Sequence, residues 1–172
     1  MLYDVIIIGS GPAGISAGLY TKRAGLKTLI ISKGVGTLEK AEKIENYYGF
    51  LSQGGIELQK VGENQAENLG IEIKREEVMN ISYNENFIVE TLNFEYEAKI
   101  VVIATGNSRK KSNIKGLKEF EGRGVSYCAT CDGFFYQGKN VAVLGNKEYA
   151  IHEAQNLLPI AQKVILLTNG EQ

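Results

Sequence analysis

The feature that most constrains the fold is a glycine-rich turn between an apolar strand and a helix. Val5–Ile8 is a continuous apolar run, as in a strand that is buried on both faces of a parallel sheet. The run Gly9-Ser10-Gly11-Pro12-Ala13-Gly14 follows with the spacing G-x-G-x-x-G, and then a helical stretch to about Arg23. In this context the first glycine permits the turn, the second lets the backbone approach a pyrophosphate, and the third lets the helix pack on the sheet. The chain is therefore expected to bind a dinucleotide.

Further apolar patterns predict an α/β protein with two nucleotide-binding units. The first unit is predicted to contain the strand Thr28–Ile31 and an amphipathic helix Gly55–Leu69, with Ile56, Val61 and Leu69 on the apolar face of the helix. Four short strands of an antiparallel meander are predicted to follow, at Ile71–Ile73, Val78–Tyr83, Phe87–Leu92 and Phe94–Glu97. A buried strand Ile100–Ala104 is predicted to end this unit. The second is predicted from a buried strand Val141–Gly145, a helix Glu148–Leu158 with apolar Ala150, Ala154, Leu157 and Leu158, and a strand Val164–Leu167. We expect two Rossmann-like units, both incomplete, in domains at 1–111 and 112–172, with Ser108–Ser112 as a solvated linker.

The end of the second strand lacks a residue that dinucleotide sites often carry. An acid near this point commonly holds the adenine ribose, but the chain reads Ser32-Lys33 and has no acid before Glu39. Another group must therefore hold that ribose. The segments Gly34–Gly36 and Leu38–Phe50 are predicted to form an irregular loop.

The only two cysteines, Cys128 and Cys131, lie in the run Cys128-Ala129-Thr130-Cys131-Asp132-Gly133. This spacing lets two thiols close a small ring and exchange a disulfide with a partner. It is also half of a zinc site, but the chain has no third cysteine and a single histidine, His152, so zinc would need a carboxylate or a second chain. Two inert buried cysteines are the plainer alternative. The nucleotide motif upstream favours redox chemistry, and for His152 we expect a surface or packing role.

Composition excludes several classes of function. The 19 basic and 20 acidic residues give a net charge of −1, which offers no attraction to nucleic acid or to an anionic membrane. No apolar run approaches the ~18 residues that a membrane-spanning helix needs. Two cysteines without a wider disulfide framework suit a reducing compartment, so we expect a cytoplasmic protein.

At this point the motifs together identify a family resemblance. The chain resembles thioredoxin reductase of the small bacterial type over its whole length. The resemblance is carried by the glycine turn, by the CxxC run with Phe134-Phe135 after it, and by Ile44-Glu45-Asn46-Tyr47, Ala104-Thr105-Gly106 and Gly122-Arg123-Gly124-Val125-Ser126.

The resemblance implies an FAD domain interrupted by a pyridine-nucleotide domain that carries the CxxC pair. It implies that FAD contacts Gly9, Ser10, Gly11, Pro12, Ala13, Gly14, Ser32, Leu38, Asn46, Val78, Ala104, Thr105 and Gly106. It also implies that Cys131 faces the flavin, that Cys128 attacks a thioredoxin-like partner, and that Asp132 donates and accepts protons. Helix capping is the plainer role for Asp132, and the two roles can hold together. Homodimerisation is carried over from the family alone.

Two departures from the family concern the electron donor. A second nucleotide turn should read G-x-G-x-x-A, but Gly145-Asn146-Lys147-Glu148-Tyr149-Ala150 has lysine in place of the second glycine and an acid at the helix start. The family's His-Arg-Arg cluster for the NADPH 2′-phosphate is replaced by Thr168-Asn169-Gly170. NADPH is therefore doubtful, and we expect ferredoxin as donor, as in the ferredoxin-dependent flavin thioredoxin reductases that Gly36–Tyr47 also resembles.

Length is a third departure, because the family continues about as far again. The chain is then expected to be a truncated form or a short gene product that binds FAD poorly. Alternatives are an NADPH-dependent reductase, a flavoenzyme whose cysteines are a sensor or relic, and a flavoprotein module without turnover.

Overall fold

The computed structural model describes residues 1–34, 36–51, 54–107, 114–168 and 170, which fall into two compact units at 1–111 and 112–172. The predicted linker Ser108–Ser112 lies outside the described residues. The elements of the first unit are β1 Leu2–Ile8, α1 Pro12–Arg23, β2 Thr28–Ile31, a 3-10 helix Leu38–Lys40, α2 Gly55–Asn68, β3 Glu72–Lys74, β4 Val78–Asn84, β5 Asn86–Thr91 and β6 Glu95–Ile103. Those of the second are α3 Ala129–Asp132, a 3-10 helix Gly133–Tyr136, β7 Asn140–Leu144, α4 Glu148–Leu157 and β8 Lys163–Leu167.

The first unit contains a six-stranded sheet in the order β3-β2-β1-β6-β5-β4. β1 pairs in parallel with β2 and β6, and β2 pairs in parallel with β3, whereas β4, β5 and β6 pair as antiparallel neighbours. The predicted α/β class with an antiparallel meander is confirmed. In the second unit β7 and β8 form a parallel pair, with α4 between them in the sequence.

Two predicted strand assignments were wrong. The run Ile71–Ile73 was assigned to the meander, but β3 joins the parallel part of the sheet beside β2. The runs Phe94–Glu97 and Ile100–Ala104 were separated, but β6 is one strand that pairs with β5 in its first half and with β1 along most of its length. Strand β6 therefore links the meander to the parallel sheet.

The core of the first unit lies on both faces of β1. Ile6 and Ile8 join a buried cluster with Val89 of β5, while Val5 and Ile7 join a second cluster with Ile15 of α1. Successive side chains of a strand point to opposite faces, so an unbroken apolar run is what a strand covered on both sides requires. The predicted burial of Val5–Ile8 is confirmed, and this buried strand leads directly into the glycine turn.

Burial was overestimated elsewhere. On β6, predicted as buried, Ile100 and Ile103 are exposed, the latter by 70%. The apolar residues predicted to face the core from α2 (Ile56, Val61 and Leu69) are exposed, and the buried residues of that helix are Gly55 and Ala66. In the second unit Leu144 of β7 is 48% exposed and Leu158 is 65% exposed. Among the described residues, no helix is both long and apolar enough to cross a membrane.

Candidate functional site

The glycine turn lies at the carboxyl ends of three parallel strands. The Gly9 amide donates to the Ile31 carbonyl at 2.8 Å, and the Ala104 amide donates to the Ile8 carbonyl at 2.8 Å. Gly9 has φ +113°, and a Cβ added there would lie 2.2 Å from the Ala104 carbonyl oxygen. Only glycine fits this position, because both the backbone conformation and the neighbouring chain exclude a side chain.

The turn is crowded on its protein side and open on the other. A Cβ on Gly14 would lie 1.9 Å from the Gly9 carbonyl oxygen, whereas one on Gly11 would meet nothing within 4 Å. Pro12 occupies the start of α1, and the first turn of that helix contains no acidic residue. Free amides and the positive end of the helix dipole suit a phosphate group at this point. The donor set therefore fits a dinucleotide pyrophosphate.

Two buried serines connect the glycine turn to the end of β2. Ser10 and Ser32 are both buried, and their hydroxyl oxygens lie 3.0 Å apart in a hydrogen bond. The Gly34 amide also donates to the Ser32 hydroxyl oxygen at 3.3 Å. Ser32 thus occupies the place where dinucleotide sites often have an acid.

Three side chains that the sequence analysis did not single out contact the same turn. Gln59 of α2 donates to the Ser10 carbonyl at 2.5 Å and to the Glu63 carboxylate at 2.7 Å. Arg75, which follows β3, donates to the Ser10 hydroxyl oxygen at 3.1 Å and to the Glu63 carboxylate at 2.5 Å. Burial alone would raise the pKa of Glu63, but the hydrogen bonds from Arg75 and Gln59 outweigh it and lower that pKa.

Of the other residues predicted to bind the cofactor, some lie at the glycine turn and others lie elsewhere in the first unit. The backbone of Ala104 and the Thr105 amide nitrogen lie against Gly9, so the structure brings these two to the glycine turn, and Gly106 follows them in the sequence. Leu38 begins the 3-10 helix and packs on the start of α2, where its carbonyl oxygen would be 1.8 Å from a Cβ on Gly55.

Asn46 and Val78 are not brought to the turn by any described contact. Asn46 is exposed in the irregular segment before α2. Val78 begins β4 and packs against the hydrophobic cluster of Ile6 and Val89.

The two cysteines form a disulfide at the start of α3. Cys128 and Cys131 are bonded, with Cα atoms 5.3 Å apart. Cys128 is the N-cap of the helix, and its sulfur accepts a hydrogen bond from the Cys131 amide at 3.2 Å. Cys128 is half-buried and Cys131 is exposed. Within the described part of the chain, no group of three or more His, Cys, Asp or Glu side chains could hold a metal ion.

The Asp132 carboxylate is held by a serine and not by the backbone of the 3-10 helix that follows it. It accepts a hydrogen bond from the Ser126 hydroxyl at 2.5 Å, and it makes no side-chain cap to that helix. The Ser126 oxygen in turn accepts from the Cys128 amide at 3.2 Å. Burial and then the negative charge of Asp132 raise the pKa of Tyr136. Asp132 occupies the N-cap position of the 3-10 helix Gly133–Tyr136, but its side chain does not make the capping hydrogen bond that the sequence suggested.

Helix α4 contacts the disulfide segment through a hydrogen bond and through apolar packing. The carboxylate of Glu153, which is 14% exposed, accepts from the Ala129 amide at 2.5 Å. Gly133 packs closely on Leu157 and Ile160, since a Cβ there would be 3.3 Å from each. His152 lies on the same helix with an exposed ring, as its sequence context predicted.

The second glycine turn keeps one feature of a nucleotide site and changes another. Gly145 has φ +156°, and a Cβ there would lie 2.6 Å from the Ala150 Cβ, so the close approach of strand and helix is present. Lys147 occupies the N-cap of α4 without a side-chain cap bond, and Glu148 is in the first turn. A long cationic side chain thus stands where glycine would leave the backbone open to phosphate.

Comparison with known proteins agrees with the presence of both a nucleotide-binding turn and a cysteine pair. The sequence model of the family described as "Pyridine nucleotide-disulphide oxidoreductase" matches residues 3–172. The chain is 41% identical over 169 residues to a thioredoxin reductase of Bacillus subtilis, covering 96% of this chain and 54% of that protein. It is also 41% identical over 176 residues to a thioredoxin reductase of Aquifex aeolicus, covering 99% of this chain and 54% of that protein.

Solved structures give the same result. The chain superimposes on thioredoxin reductase from Streptococcus pyogenes with a TM-score of 0.90 at 37% identity, covering 99% of this chain and 57% of that one. It thus spans about half the length of the curated relatives it matches. On this evidence, the chain belongs to the pyridine nucleotide-disulphide oxidoreductase family.

Proposed function

We propose that this chain carries the flavin-binding turn and the redox disulfide of a thioredoxin reductase-type flavoenzyme. In this proposal electrons pass from FAD through the Cys128–Cys131 pair to thioredoxin or a similar small protein. The observation that carries it is the disulfide at the start of α3, with a carboxylate fixed beside it, in a chain that also has a dinucleotide turn. The domain assignment follows: 1–111 for FAD, and 112–172 for the start of the pyridine-nucleotide-type domain.

The first unit would hold FAD at the carboxyl edge of its sheet. Gly9–Gly14 would take the pyrophosphate, Ser32 the ribose side, and Ala104–Gly106 the part of the cofactor beside β6. Leu38, Asn46 and Val78 are proposed as further contacts on the resemblance alone. Bound FAD would supply the electron pair that reduces the disulfide.

The cysteines would then exchange with the partner in two balanced steps. Reduction of the Cys128–Cys131 disulfide by two electrons and two protons gives two thiols. The Cys128 thiolate attacks the partner disulfide, which forms a mixed disulfide and releases one partner thiolate. The Cys131 thiolate then attacks the Cys128 sulfur, which releases the second partner thiolate and restores the original disulfide.

Asp132 would move the protons in these steps. Its carboxylate is half-buried and is held at 2.5 Å by the Ser126 hydroxyl, which also binds the Cys128 amide. A carboxylate fixed near two thiols can take a proton when a thiolate forms and return it to a leaving sulfur. The Ser126 bridge ties the position of that carboxylate to the backbone of Cys128.

Substitution of Cys128 tests the proposal. Cys128→Ser should abolish reduction of thioredoxin, measured by its free thiols, while leaving the flavin bound. Thr130→Ser, between the two cysteines, is the matched control and should keep activity. Full thioredoxin reduction by Cys128→Ser would instead make the disulfide a sensor or relic.

For the electron donor we propose ferredoxin rather than NADPH. The support is Lys147 at the approach to the second turn, Glu148 in the first turn of α4, and the absence of a cation at Thr168–Gly170 in the sequence. NADPH, the alternative, would require the Lys147 side chain to move aside or to contact phosphate. Anaerobic mixing with each donor separates the two, since rapid flavin bleaching by NADPH would rule out the ferredoxin proposal.

The remaining parts of the proposal concern assembly and location. A homodimer is proposed from the resemblance, and sedimentation velocity would test it. Cytoplasmic location is proposed from the single cysteine pair, which suits a reducing compartment. A thioredoxin-like protein is the proposed acceptor, with no role for nucleic acid or membrane.

A further inference from the structure

The polar network beneath the glycine turn has features that the proposed function does not use. It consists of Ser10, Ser32, Gln59, Glu63 and Arg75, and it joins the turn, the end of β2, helix α2 and the end of β3. The Glu63 carboxylate is only 17% exposed, while the Arg75 side chain is 50% exposed. A partly buried carboxylate beside a phosphate site would repel the ligand unless a cation balances it.

The single proton of the Ser10 hydroxyl has two acceptors to choose from. The Ser32 oxygen lies at 3.0 Å and the Glu63 carboxylate at 3.3 Å. Arg75 donates both to that carboxylate and to the Ser10 oxygen. With its charge balanced, Glu63 competes less for the Ser10 proton, so Ser10 donates to Ser32. The Ser32 oxygen then accepts from Ser10 and from the Gly34 amide, and its own proton is left as a donor.

Resting on the proposed function, we propose that Arg75 is a positioning residue for the adenosine-diphosphate end of the cofactor. It neutralises Glu63, so that the Ser10 hydroxyl donates to Ser32 and the Ser32 hydroxyl keeps its own proton for the ribose. This arrangement replaces the acid that is missing after β2, because the hydroxyl donor of Ser32 takes the place of a carboxylate acceptor. Gln59 completes it by fixing the Ser10 carbonyl from α2.

A double-mutant cycle tests this role. Arg75→Gln should weaken binding of both FAD and ADP about tenfold, because it leaves an unbalanced carboxylate beside the phosphates. Adding Glu63→Gln should recover most of that loss, since the charge to be balanced is then gone. A merely structural ion pair would give a double variant as weak as the single one. Binding is measured by flavin fluorescence for FAD and by calorimetry for ADP.

Two controls make the result specific. Lys99→Gln removes an exposed cation that pairs with Asp4 at 2.8 Å in the same unit, and its FAD affinity should equal that of the wild type. FMN lacks the adenosine end, so its affinity should change less than twofold in Arg75→Gln. The proposal is overturned if Arg75→Gln binds FAD as the wild type does, if the double variant shows no recovery, or if FMN binding falls equally. A wild-type protein that binds neither FAD nor ADP would overturn the proposed function as well.

Discussion

The two glycine turns of this chain share a backbone design and differ in the side chain at the approach to it. In the first, a Cβ on Gly14 would lie 1.9 Å from Gly9, and in the second a Cβ on Gly145 would lie 2.6 Å from the Ala150 Cβ. Both values require strand and helix to be in close contact. The position between them is open glycine in the first turn, Gly11, and a lysine in the second, Lys147.

The difference shows that the fold and the ligand place separate demands on such a turn. Gly11 has φ −67° and ψ 179°, and Lys147 has φ −119° and ψ 173°, so both are extended and neither conformation needs glycine. The close helix contact is kept in both turns because the fold depends on it. The open approach is kept only in the first, together with a helix start that has no acid, which is the combination a phosphate needs.

The largest expected effect comes from substitutions in the first turn that distinguish folding stability from cofactor binding. Gly14→Ala should lower the free energy of unfolding by about 3 kcal/mol, because the new Cβ collides with backbone that cannot turn away. Urea denaturation followed by circular dichroism measures it. Gly11→Ala is the matched variant and should change stability by less than about 0.5 kcal/mol, because its Cβ meets nothing, while weakening FAD binding. Equal stability losses in both variants would refute the separation.

The second turn offers the converse change. Lys147→Gly should raise NADPH affinity by about three- to tenfold, because it opens the backbone to the pyrophosphate. Glu148→Gln, which removes the acid at the start of α4, should add a smaller gain through the helix dipole. Fluorescence titration with NADPH measures both. If Lys147→Gly weakened NADPH binding, the lysine would be a phosphate ligand and the contrast between the turns would fail.

A smaller effect is expected at the disulfide segment. Ser126→Ala should cost about 1 kcal/mol of stability and slow thiol–disulfide exchange several-fold, because Asp132 and the Cys128 amide both lose a partner. Stopped-flow reduction of a small disulfide substrate follows the rate. Ser126→Thr keeps the hydroxyl and should retain most of the wild-type exchange rate. Unchanged exchange in Ser126→Ala would show that the bridge does not position Asp132.

The smallest expected effect depends on pH. The pKa of Glu63 is lowered in the folded protein, so its ionised form contributes stability at neutral pH, and that contribution is lost as the pH falls from the ordinary value of 4.5 through the lowered value. The difference in unfolding free energy between wild type and Glu63→Gln should be under about 1 kcal/mol at pH 7 and should vanish in acid. A difference that does not vary with pH would contradict the ion pair.

Local patterns predicted the first turn well. The bounds of α1 and β2 and the burial of Val5–Ile8 follow from a motif whose parts are adjacent in sequence. Strand pairing was harder to predict from the sequence. Strand β3 was assigned to the meander because its three residues carry no signal of their parallel neighbour β2. The exposure of Ile103 was missed for a similar reason, since an apolar strand does not reveal which of its faces is covered.

The network below the turn could not be predicted from spacing. Gln59, Glu63 and Arg75 meet Ser10 across 49, 53 and 65 positions of sequence. An exposed helix and a charged strand end are ordinary surface features until the parallel sheet brings them to the same edge. The Cys128–Cys131 pair was found because both of its members lie within one turn of helix.

The most direct test of the account asks whether electrons from bound FAD reach the disulfide. The flavin of the FAD-loaded protein is reduced anaerobically with limiting dithionite, and free thiols are trapped by alkylation and located by mass spectrometry. The account predicts alkylation of both Cys128 and Cys131, and none when the same treatment is applied to protein stripped of FAD. A bleached flavin beside an intact Cys128–Cys131 disulfide would contradict it.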